Sequence, residues 1–135
     1  MKTIHKSAAI IIRNGLLLMV RKRGTNVFIS PGGKPEGGES HYDCLKREIA
    51  EELSVEISNI RPFGTFTGIS QFEHRQIVLE TSWVDILGTP NPGQEIEAIA
   101  WIDSNYERYG MQIGTIFKDH VIPSLVRQGL LYDSQ

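Results

Sequence analysis

The sequence predicts an α/β sandwich in which a mixed central β-sheet lies between helices. Two apolar runs, residues 8–12 and 16–20, lack polar alternation, as strands covered on both faces do. Apolar residues then recur at helical spacing, at Tyr42, Leu45, Ile49 and Leu53. A second helical period, Ile113, Ile116, Phe117, Val121, Leu125 and Val126, lies near the end of the sequence.

In chain order, the first two runs are joined by Arg13-Asn14-Gly15, and Asn-Gly between apolar runs predicts a hairpin. The basic cluster Arg21, Lys22 and Arg23 follows, read as a solvated strand end or, for Arg21 and Arg23, a phosphate contact. Residues 27–30 read as a short strand entering the turn Pro31-Gly32-Gly33. Ser40 is the expected N-cap, with Asp43 at the capping-box position, of a helix running to about Leu53. Residues 55–60, 63–67, 76–85 and 98–103 are the further predicted strands, and 87–93 is a loop rich in glycine and proline. Pro123 predicts a kink or restart in the last helix.

A chain of 135 residues reads as one domain, 1–135, able to bury about two-thirds of its unfolded surface. The net charge of −2 argues against a protein that grips a nucleic-acid backbone. It leaves room for a small polyphosphate neutralised by metal. One cysteine, Cys44, allows neither an intramolecular disulfide nor a zinc cluster, and fits a reducing compartment. The N-terminal apolar run is broken by Arg13 and Asn14, so neither a signal peptide nor a membrane span is expected and the cytoplasm is the predicted location.

Residues 33–55 pose a charge problem. Glu48, Glu51 and Glu52 fall within about 100° of one helical face. Like charges so spaced destabilise a bare helix by a few tenths of a kcal/mol per pair, roughly 0.2–0.5. A hard divalent cation is the natural compensation.

As a pattern, the stretch is Gly33, five residues, Glu39, seven residues, then Arg47-Glu48-Ile49-Ala50-Glu51-Glu52-Leu53-Ser54-Val55. This resembles the Nudix box, Gly-x5-Glu-x7-Arg-Glu-(aliphatic)-x-Glu-Glu-x-Gly-(aliphatic), with Ser54 in place of the last glycine. The resemblance implies a Nudix-like α/β/α sandwich and hydrolysis of a nucleoside diphosphate linked to another moiety. It implies Mg²⁺ as cofactor, with Mn²⁺ able to substitute, and a small nucleotide as partner. Glu52 is implied as the most direct metal ligand, with Glu48 and Glu51 beside it and a backbone carbonyl of Gly32 or Gly33. Arg47 is implied to orient a carboxylate, and Glu39 to support the loop or a metal-bound water. A serine at the helix-ending position is expected to cost about 1 kcal/mol if it keeps positive φ.

The general base is open between a box acid such as Glu48 and the outside acids Glu73, Glu80, Glu95 and Glu97; Glu95 or Glu97 could also add a metal ligand. Phe72 and His74 could frame a base pocket, or serve only as a polar turn with an anchoring ring. Phe28 could line the cleft or pack in the core, and Lys34 accompanies the glycine turn as a substrate contact. Cys44, one turn before Glu48, is expected to be a small packing residue because Mg²⁺ disfavours sulfur. A non-catalytic nucleotide sensor of the same fold is the alternative, although all four box glutamates are present. A homodimer is compatible with the sequence, which does not show one.

Overall fold

The computed structural model describes residues 2–70 and 74–133. Its strands are β1 Thr3–Ile10, β2 Ile12–Arg13, β3 Leu16–Lys22, β4 Val27–Phe28, β5 Gly32–Gly33, β6 Glu56–Ile69, β7 Gln76–Leu87, β8 Ile96–Ile102 and β9 Gln112–Ile113. Helix α1 is His41–Leu53, and a π-helical turn, Phe117–Val121, runs into α2, Ile122–Arg127. The sheet is divided. A four-stranded part has order β5-β1-β7-β6, with β1 and β7 parallel, and a three-stranded part has order β2-β3-β8. A parallel β4-β9 pair completes it.

The apolar runs in β1 and β3 are covered on both faces, as their lack of alternation predicts. Ala9, Ile11, Leu18 and Val20 pack under α1 with Leu45, Ile49 and Leu53. Ile10, Leu17 and Met19 face the opposite way, against Phe117, Val121 and Leu125. Each of these side chains other than Ala9 contributes about 1.5–3 kcal/mol on burial, so these two strands tie both layers to one sheet. Asn14 and Gly15 turn the β2–β3 hairpin with φ of 53° and 75°.

Some element boundaries differ from the sequence reading. The strands expected at 55–60 and 63–67 are one long β6, whose pairing with β7 shifts register between Ser58 and Arg61 and between Pro62 and Gly64. Proline lacks a ladder N–H, and the irregularity absorbs it without ending the strand. Tyr42 is exposed rather than part of the core stripe. His41 turns inward beneath the first helical turn, with its ring nitrogens 2.8 Å from Ser7 Oγ and 2.7 Å from Ser82 Oγ. Ile113 lies in β9 beside Phe28, and Val126 is exposed. Pro123 sits in the first turn of α2, where its missing N–H costs little, just after the π-helical turn. Among the described residues, no helix is long and apolar enough to cross a membrane.

Candidate active site

Helix α1 begins as expected, with Ser40 Oγ accepting from the Asp43 N–H at 3.1 Å. Its other end is built with more care. Ser54 closes the helix in the left-handed region, φ 59°, donating its N–H to Ala50 O. The loop before β8 then reaches back. The N–H groups of Asn91, Gly93 and Gln94 donate to the carbonyls of Leu53, Glu52 and Glu51 at 2.9, 2.8 and 3.0 Å. These are carbonyls that a free helix end leaves unsatisfied. Gly93 is needed there, because a Cβ would stand 1.9 Å from Glu51 O.

Glu48, Glu51 and Glu52 line a common cavity of about 330 Å³ with Arg47, Lys34 and Glu95. Glu52 is the most enclosed, 5% exposed, and its Oε1 accepts the Gly32 N–H at 2.9 Å. Burial pushes its carboxyl up to about 7, against the pull of the Gly32 N–H. Burial also raises Glu48, against a hydrogen bond from Arg47. The glycine pair permits two close approaches, that of the Glu48 carboxylate to Gly33 and that of β1 to Gly32. A Cβ on Gly33 would meet Glu48 Oε1 at 2.5 Å, and one on Gly32 would meet Ser7 O at 2.0 Å.

Arg47 is the hub. Its Nε and Nη2 hold the two Glu39 oxygens at 2.7 and 2.9 Å, and Nη2 also reaches Lys34 O at 3.1 Å. Its Nη1 donates to Glu48 at 2.9 Å and, more weakly, to Glu51 at 3.4 Å. The guanidinium thus fastens the glycine-rich loop to the helix through Glu39 and braces Glu48. This holds the Glu39 carboxyl down at about 2 and raises the pKa of Arg47 itself. Glu51, with a side chain 40% exposed, is the least constrained of the three.

Of the loop acids, the fold brings Glu95 to the cavity, on a strained backbone of φ 63°. Glu97 points to Arg23, 3.5 Å away, and Glu80 pairs with His41 at 3.7 Å. Neither lines the cavity. Arg21 donates to Thr25 O at 3.1 Å and lies over the Phe28 ring, which packs against the α2-side core. Arg21, Arg23 and Phe28 are therefore absent from the cavity lining, as is His74. Phe72 and Glu73 lie outside the described residues. Cys44 is fully buried, with Sγ 3.6 Å from Gly33 O.

Sequence reasoning missed Lys6 and passed over Lys22 as one of a basic cluster, yet both line the cavity. A single lysine on a strand carries no local signal of what the neighbouring strand presents. Among the described residues, no three His, Cys, Asp or Glu side chains already form a closed ligand cage. The donor set is nonetheless all oxygen, with two carboxylates desolvated beside a third, and that chemistry suits a hard divalent cation.

The NUDIX domain family model matches residues 3–109. The uncharacterized Nudix hydrolase YvcI of Bacillus subtilis is 32% identical over 124 residues, covering 87% of this chain and 75% of that protein. The NAD-capped RNA hydrolase ndx-9 of Caenorhabditis elegans is 46% identical over 46 residues, 33% of this chain and 12% of the relative. NudC of Pseudomonas putida, also an NAD-capped RNA hydrolase, is 37% identical over 65 residues, 46% and 24% of the two chains. The chain thus matches less than a quarter of the length of those two relatives. The solution structure of the E. coli ORF135 protein superposes with a TM-score of 0.68 at 29% identity, covering 91% of this chain and 86% of the other.

Proposed function

The chain belongs to the Nudix family, and on that premise we propose that it is a metal-dependent pyrophosphohydrolase. Its substrate is a nucleoside diphosphate linked to another moiety, cleaved to a nucleoside monophosphate and a second phosphate-containing product. The observation that carries this reading is the meeting of Glu48, Glu51 and Glu52, from one helix, with Glu95, from a separate loop, in one cavity.

Glu48, Glu51 and Glu52 would hold Mg²⁺, or Mn²⁺ in its place, with a carbonyl of Gly32 or Gly33 as a further oxygen. When bound, the ion supplies positive charge against the phosphates and acidifies water. The protein's own part is positional. Arg47 keeps Glu48 and Glu39 in register, and the Gly32 N–H keeps Glu52 turned inward. Glu95 is the acid we assign as general base: its carboxylate takes the proton of the attacking water, from a loop held separately from the other three. Residues 1–135 act as one catalytic domain, which we place in the cytoplasm; β1 and β3 contribute to both cores.

The test is turnover of a panel of nucleoside triphosphates with Mg²⁺ or Mn²⁺, for wild type, Glu52→Gln and Glu95→Gln. Loss of a ligand should remove several kcal/mol of transition-state stabilisation, so Glu52→Gln should lose at least about a hundredfold in kcat. Loss of the base should cost on the order of 10²–10⁴ in kcat while nucleotide binding persists. Full activity in Glu52→Gln would overturn the site. Tight nucleotide binding without hydrolysis under either metal would make the protein a sensor instead.

A further inference from the structure

Glu95 reaches the cavity on a segment separate from the helix that carries Glu48, Glu51 and Glu52. That segment has its own set of hydrogen bonds, and three of them run to the last turn of α1. All four carbonyls that end this helix are thereby taken. Ser54 N–H serves Ala50 O, and the N–H groups of Gln94, Gly93 and Asn91 serve Glu51, Glu52 and Leu53 in turn. Two of these acceptors belong to residues whose side chains line the carboxylate cavity.

Gly93 is required by distance, not by turn geometry. Its φ is not in the left-handed region, yet a Cβ there would lie 3.0 Å from the Glu51 carbonyl carbon as well as 1.9 Å from its oxygen. The loop backbone rests directly on the helix end. From Gly93 the chain turns at once, because Ile96 N–H donates to Gly93 O at 3.2 Å with Gln94 and Glu95 between them. Glu95 fills the third position of that turn with φ 63°, where glycine or asparagine is the usual choice. Strained residues of this kind persist where their surroundings over-determine them, and they gather at functional sites. From the side of β3, Arg23 N–H donates to Glu95 O at 2.9 Å.

We propose that residues 91–94 are a clip that places Glu95, with Gly93 and the Gln94 N–H as positioning residues that set the distance from the loop acid to the carboxylates of α1. The clip bears on the backbone of Glu51 and Glu52, so the loop acid is held relative to the residues that would carry the metal. A misplacement of about 1 Å in a reacting group can cost a hundredfold in rate, which is what such a clip prevents. The inference rests on the reading of Glu95 as general base and adds what positions it.

The experiment compares Gln94→Pro with Gln94→Ala, each alone and combined with Glu95→Gln. Proline suits the second position of a turn and deletes the N–H that serves Glu51 O, whereas alanine removes only the side chain. The readouts are kcat and KM with Mg²⁺, for the nucleoside triphosphate that wild type cleaves fastest, and Mn²⁺ affinity by electron paramagnetic resonance. Gln94→Pro should lower kcat by about tenfold or more relative to Gln94→Ala, while KM and Mn²⁺ affinity stay as in Gln94→Ala. In the Glu95→Gln background the proline should cost nothing further, because the group it positions is already gone. Melting curves check folding, and should Gln94→Pro not fold, Gly93→Ala is read in the same way. Equal kcat for the proline and alanine variants, with Glu95→Gln impaired, would mean that β8 alone places the acid; the inference falls and the hydrolase reading stands. A proline effect that persists in Glu95→Gln, or that comes with lost Mn²⁺ binding, makes the clip a helix cap only and also overturns it. Full activity in Glu95→Gln removes the base assignment and the clip's role with it, whereas absence of turnover in wild type removes the hydrolase reading itself.

Discussion

Arg47 presents one edge of its guanidinium, Nε and Nη2, to both oxygens of Glu39 and only a stray 3.4 Å contact to Glu51. A bidentate pair of this kind fixes direction as well as distance, which a lysine's point charge cannot do. Its role is then to hold the glycine-rich loop and Glu48 in a fixed relation. Arg47→Lys and Glu39→Gln should each lower kcat by about 10–100-fold, the usual scale for groups that orient ligands. Because both break the same fork, the double variant should lose little more than the worse single one. Steady-state kinetics at saturating metal, with melting curves to confirm folding, would check this; multiplicative losses would sink the shared role. At this scale the sequence was informative. The box pattern marked Arg47 and Glu39 separately, one as an orienting residue and the other as a loop support, and only the folded loop shows that they bind each other.

At the scale of the element, α1 was legible almost in full, from the Ser40 cap to the Leu45, Ile49 and Leu53 stripe, because helical neighbours lie three and four residues apart in the chain. What was not legible is how its C-terminal end is held, since those partners come from residues 91–94. Ser54 keeps the left-handed backbone that the family pattern assigns to glycine. A side chain there costs about 1–2 kcal/mol, partly offset because glycine leaves a more disordered unfolded chain. Ser54→Gly should therefore stabilise the protein by about 1 kcal/mol, a rise of roughly 3–5 °C in Tm for a domain of this size. Ser54 is exposed, so no packing is lost in the exchange. Thermal denaturation measures the effect directly, and a fall in Tm would show that the serine contributes something other than strain.

For the whole molecule, local pattern predicts which segments are strands but not which strands adjoin. The parallel β1–β7 pairing joins residues more than 70 positions apart and brings Ser7 and Ser82 together beneath His41. Nothing in the sequence around His41 announces this. Burial there holds the imidazole below its ordinary 6.5, and the facing Glu80 only partly opposes the effect. The unfolded chain therefore takes up a proton near pH 6.5 that the folded chain resists until lower pH. Whatever stability His41 gives by staying neutral is intact above that value and is lost as pH falls through the interval below it. Glu52 titrates in an overlapping range with the opposite sign, since its raised carboxyl favours the folded state as pH falls. The useful readout is then the difference between wild type and His41→Gln, in urea denaturation at pH 7.5 and 5.5. Wild type should lose more stability than the variant between the two, because only wild type must bury a group that acid would charge. An equal loss in both proteins would mean that the ring opens to solvent before it protonates, and that the bridge between β1 and β7 is not where the fold senses acid.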